Sequence, residues 1–114
     1  MRTSDEQIYG GTVTEDGNSY STPINVKGAS EIVLFLDVTA ASGTNPTLII
    51  NLMTKDTISN KWFLMRKGDF DSISNTTAVT QQVDSGLGSY IACNWVVGGQ
   101  NPSFSFTLNA SIKD

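Results

Sequence analysis

The sequence predicts an all-β protein, an antiparallel β-sandwich of jelly-roll type with seven to eight strands. Three observations lead there. From Asn18 onward apolar residues recur at every second position. Gly, Pro and Asn clusters break the chain into short runs at roughly even spacing. No run has a helical period: the nearest candidate, MRKGDFDSIS at 65–74, contains Gly68 and too few apolar positions. Without a helix to cross over, a parallel sheet is excluded. At 114 residues the chain makes one domain.

Residues 1–17 are polar and acidic (Asp5, Glu6, Glu15, Asp16) and broken by Gly10-Gly11 and Asp16-Gly17. They read as an arm, flexible or docking on a neighbour, with at most a short strand around Ile8 to Val13. The sandwich itself is expected over 18–114. SYSTPINV reads as an edge strand, because Pro23 removes a ladder donor. EIVLFLDVTA turns Leu34, Leu36 and Val38 to one face, and TLIINLMTK does the same with Leu48, Ile50 and Leu52. A turn at 56–60 leads into KWFLM, followed by a short piece around Phe70 and Ile73, then AVTQQV and SYIACNWVV. The last run alternates throughout, with Phe104, Phe106 and Leu108 on one side and Ser105, Thr107 and Asn109 on the other. The expected core is therefore Leu34, Leu36, Val38, Leu48, Ile50, Leu52, Trp95, Phe104, Phe106 and Leu108.

Two segments nearly repeat: SGTNPTLIINL at 42–52 and GGQNPSFSFTL at 98–108. Gly supplies unusual backbone angles and Pro fixes the exit direction, so each reads as the turn of a hairpin. Aligning them pairs Leu48 with Phe104, Ile50 with Phe106 and Leu52 with Leu108. Upstream, Val38 meets Trp95 when the second loop is given one residue fewer. The two hairpins are expected at corresponding places, with their turns at one end.

Little catalytic chemistry is available. The chain has no histidine and one cysteine, which excludes Ser-His-Asp and Cys-His arrangements, histidine metal sites and an internal disulfide. Cys93 lies in an apolar run and reads as a small buried hydrophobe. Asp69 and Asp71 are two apart and could share a strand face, as a carboxylate pair or calcium ligands, but the polar turn is the simpler reading. Asp37 is expected to face solvent from an apolar strand, and Asn51 and Asn94 to bridge strands. No enzyme activity, cofactor or metal is expected.

A net charge of −4 argues against a nucleic-acid partner, and Lys61, Arg66 and Lys67 read as a solvated turn beside acidic residues. No run is apolar enough for a membrane helix, and the opening residues do not form a signal peptide, so synthesis in a cytoplasm is expected. Val33, Phe35, Ile49, Met53 and Trp62 are surplus apolar residues on faces that a lone sandwich gives to water. They are the expected contact surface. Trp62 would alternatively serve as a stacking platform for sugar rings.

The runs GASEIVLFLDVTAASGTNPTLIINL and SYIACNWVVGGQNPSFSFTLNASI resemble small β-sandwich virion proteins of tailed bacteriophages. Such proteins share an apolar strand, Asp-Val-Thr, a Ser-Gly-Thr-x-Pro turn and a Trp-containing strand before a Gly-Gly-x-x-Pro turn. The likeness covers roughly 18–113. It implies a head decoration (cement) protein located in the virion. Its partners would be the major capsid protein and copies of itself, with a trimer expected. The same likeness would fit a neck, tail or fibre component. A non-catalytic carbohydrate-binding module is the alternative from a different class.

Overall fold

The structure, a computed structural model, describes residues 3–65 and 70–113. Among these residues every element is a strand, and every pairing is antiparallel. The strands are β1 (Thr3–Val13), β2 (Gly17–Asn18), β3 (Ile24–Asn25), β4 (Glu31–Asp56), β5 (Lys61–Leu64), β6 (Thr77–Val83) and β7 (Tyr90–Lys113). They form one seven-stranded sheet in the order β1-β7-β4-β5, with β2 and β3 also on β7 and β6 also on β4.

The repeated segments are not hairpin turns. EIVLFLDVTA and TLIINLMTK belong to one strand, β4, and the two C-terminal runs belong to β7. These long strands pair along their whole length, from Glu31↔Lys113 to Lys55↔Tyr90. At about 3.3 Å per residue, 26 residues in a straight strand would span about 86 Å. The longest dimension of the molecule is 44 Å, so the ribbon must turn back on itself. It does so where the two Gly-x-Asn-Pro segments meet, with the register slipping from Ser42↔Ser103 through Thr44↔Gln100 to Thr47↔Gly98.

The two corners match in detail. Gly43 and Gly99 have φ of 116° and 104°, and Asn45 and Asn101 both have φ of 50°. Asn tolerates this left-handed backbone better than most residues. A Cβ on Gly99 would lie 2.6 Å from the Asn45 carbonyl oxygen, and one on Gly43 would lie 2.8 Å from the Asn101 carbonyl oxygen. Each glycine thus makes room for the other copy's backbone. The extra residue of the first copy is Thr39, a bulge between Val38↔Phe106 and Ala40↔Ser105.

The corner divides the sheet into two halves. In the first half, 31–41 and 104–113 lie between β1 and β6. In the second, 48–56 and 90–97 lie between β2 and β3 on one side and β5 on the other. Ile73 also bridges to Leu48, so the expected short piece at 70–73 contributes one bridge and no strand.

Both halves contribute to one hydrophobic cluster. Leu34, Leu36, Val38, Phe104, Phe106 and Leu108 enter it from the first half, and Leu48, Ile50, Leu52 and Trp95 from the second. Trp95 lies 4.3 Å from the ring of Tyr9 and 5.9 Å from that of Phe106, centroid to centroid. Its Nε1 donates to the Glu15 carbonyl at 3.0 Å, so its polar end is satisfied inside the fold.

The expected arm is also corrected. Residues 3–13 form β1 and pair with β7 from Thr3↔Lys113 to Val13↔Phe104. Ile8 and Val13 are buried in the cluster. The acidic and glycine residues hid this strand, because its stability comes from β7 and the core and not from local preference.

Candidate docking surfaces

The five residues expected to form one contact face lie on two. Inner positions of both halves meet in the same core, so their outer faces point away from each other. Val33 and Phe35 are outside the first half; Ile49, Met53 and Trp62 are outside the second.

On the first half, Phe35 sits between Thr80 of β6 and Asn109 of β7 and is 45% exposed. Val33 is half-buried. A groove of about 770 Å³ on one side of Phe35 is lined by Asp37, Ala78, Thr80 and Thr107. Another of about 410 Å³ is lined by Asp5, Asn109 and Ser111. Asp37 is exposed there, beside Thr107 and Ala78 in register.

The second half is partly roofed by its own chain. Asn51 Nδ2 donates to Asn94 Oδ1 at 2.9 Å, and Asn94 Nδ2 donates to the Tyr20 hydroxyl at 3.3 Å. Tyr20 in turn stacks on Trp62, with centroids 4.8 Å apart and planes within 7°. Met53 is buried as a result, and its sulfur accepts from Asn94 Nδ2 at 3.6 Å. Trp62 is half-buried, and the Lys55 ammonium lies 5.9 Å from its ring centroid. What this face leaves open is Ile49 beside Val96, paired across β4 and β7, and Leu64 on β5.

Three apolar residues not placed in the expected contact set are more exposed. Phe63 and Leu64 on the edge strand β5 are 50% and 49% exposed, and Ile58 is 95% exposed. Ile58 crowns the β4–β5 hairpin, which Asp56 holds in shape. Its carboxylate accepts from the backbone N–H groups of Ile58 and Ser59 and from the Ser59 hydroxyl, the last at 2.8 Å. Those bonds, led by the Ser59 hydroxyl, hold the Asp56 carboxyl below its ordinary pKa. The sequence carried this signal as Asp-x-x-Ser-Asn at 56–60, a turn that must place its intervening residues outside.

Titratable chemistry is not assembled among the described residues, which contain no cluster of three metal-ligating side chains. Cys93 is buried, and loss of solvation pushes its thiol up to about 11 despite a 3.6 Å contact with the Ser19 hydroxyl. Asp71 is exposed, while its proposed partner Asp69 lies outside the described residues, as do Arg66 and Lys67. No family model and no curated protein matches this chain.

Proposed function

We propose that this chain is a structural component of a tailed-phage virion, a decoration (cement) protein that binds the assembled head and stabilises it. The observation that carries the reading is rigid presentation of large apolar side chains outside a complete core. Ile58 at 95% exposure, Phe63, Leu64, Ile49 and Val96 stand on strands or a braced hairpin and are not needed to fill the interior. The Ser-Gly-Thr-x-Pro wording of the corner adds the family resemblance.

In this mechanism each molecule bridges neighbouring capsid subunits, and many modest contacts repeated over the shell add up. Rigid strands lose little conformational freedom on docking, which favours binding without large buried areas. Contact falls to the outer faces and the β4–β5 hairpin. Residues 3–13 serve the fold itself, because removing them would strip Ile8 and Val13 from the core.

Sugar binding is less well supported. Trp62 already stacks on Tyr20 and carries Lys55 over its ring, so it lacks the open face that a stacking platform needs.

The test is to separate heads from tails in virions that encode the chain and to quantify the protein by mass spectrometry. Many copies on heads are expected. A few copies confined to tails or necks would replace cementing with a connector role, and absence from both would overturn the virion reading.

A further inference from the structure

Two edges of the sheet are complementary to each other. Among the described residues, β5 and β6 are each paired only with β4, so each has one open side. Edge strands usually carry a charge, a proline or a bulge that discourages pairing. β1 has such guards, with Asp5, Glu6 and a register shift between Gln7 and Tyr9. β6, TAVTQQV, has none, and pairs from Ile32↔Val83 to Val38↔Thr77 without a slip.

Grooves flank β6 on both sides. The one toward the core is about 350 Å³ and includes Asp71, Ile73, Val79 and Gln81 in its lining. The outer one, about 770 Å³, includes Phe35, Asp37 and Ala78. Among the described residues, each is lined by one carboxylate and no basic side chain. An added strand would send alternate side chains into the two grooves.

β5 has the matching pattern. Lys61 and Phe63 alternate on the side of the sheet where Met65 enters the core. Trp62 and Leu64 take the other side, with Lys55 opposite Trp62 in register. Each side thus offers one cation and one half-exposed apolar group, Phe63 or Leu64.

We propose that copies of this chain associate edge to edge, with β5 of one extending the sheet at β6 of the next. Phe63 then enters the groove beside Val79, and Leu64 packs over Ala78 toward Phe35. Lys61 faces Asp71, while Lys55, one strand back from the seam, adds positive charge on the face that carries Asp37. Because the joined edges differ, the contact is heterologous and propagates into a ring or a filament. The inference concerns the purified chain alone and stands whether or not the virion reading does.

Sedimentation velocity of the full chain over a concentration series tests it. Association is expected, weakening with salt as exposed charges are screened. Lys61→Asp and Asp71→Lys should each weaken association about tenfold or more, equivalent to about 1.4 kcal/mol. The two combined in one chain should recover most of it, because the charges are only exchanged. Leu64→Glu should abolish it, with no change in the circular dichroism spectrum. A wild-type chain that stays monomeric at all concentrations overturns the proposal. So does association that ignores all three substitutions, or a double variant no better than the singles.

Discussion

The two halves of the ribbon share a corner and a core but are finished differently at their edges. The first half is bordered by β1, which follows residues 104–113 of β7 in register almost throughout. The second is bordered by β2 and β3, two residues each. Side chains and isolated backbone bonds do the remaining work there. Cys93 N–H donates to the Ser19 hydroxyl at 3.0 Å, and Val97 N–H to Asp16 Oδ1 at 2.7 Å. Ser19 N–H donates to the Cys93 carbonyl at 2.9 Å, and Val26 N–H to the Ser89 carbonyl at 2.8 Å. One half is closed by a ladder and the other by individual contacts. The general lesson is that buried backbone groups must be satisfied, but a strand is only one way to do it.

The corner is what the halves have in common, and breaking it should have the largest effect. Gly99→Ala sets a Cβ against the Asn45 backbone in a conformation that L-residues avoid. Strain and displacement together should cost about 3 kcal/mol or more. Gly86 also has positive φ, 76°, but nothing lies within 4 Å of its Cβ position. Gly86→Ala should therefore cost only about 1 kcal/mol, for the backbone alone. Urea unfolding of both variants checks this. Equal costs would mean that the two corner segments do not press on each other, and the shared-corner picture would fail.

Much of the inner architecture could be read from alternation alone. Once Leu34, Leu36 and Val38 face inward, Phe35 and Asp37 must face outward, because the side-chain period of a strand is two. The corner was legible in its residues but not in its partner. A Gly-x-Asn-Pro segment has the same local preferences whether it reverses a chain or bends a ribbon, and only the pairing of Ser42 with Ser103 decides. The contact surface was partly legible for the same reason. Ile49 is open because it alternates with core positions, whereas Met53, in the same phase, is covered by Tyr20 and Trp62. Tyr20 reaches Met53 from the distant loop between β2 and β3, which no local pattern reports.

A second difference between the halves is chemical: only the second buries a titratable thiol. Folding raises the Cys93 pKa from 9.0 to about 11, so the native state holds the proton more tightly than the unfolded chain. Its contribution is complete below pH 9 and is lost as the pH climbs from 9 to 11. A shift of that size is worth about 3 kcal/mol. Cys93→Ala should flatten the stability profile over that window. Matching alkaline slopes for wild type and variant would show that the thiol is not shielded.

The finest comparison sets one hydroxyl from each half against the other. Thr12 Oγ1 meets Ser105 Oγ at 2.8 Å on the exposed face of the first half, where water can replace either partner. Ser19 is 3% exposed, and its hydroxyl accepts from the Cys93 N–H that no neighbouring strand reaches. Ser19→Ala leaves that buried donor unpaired and should cost about 1–3 kcal/mol, whereas Thr12→Ala should cost less than about 1 kcal/mol. Hydrogen exchange distinguishes the causes, since in the Ser19 variant the Cys93 amide should lose protection before its β4 neighbours do. If instead both variants lose stability equally, and exchange rises evenly over β7, then β2 and β3 close the second half as firmly as β1 closes the first. The contrast between ladder and individual contacts would then describe geometry without energetic consequence.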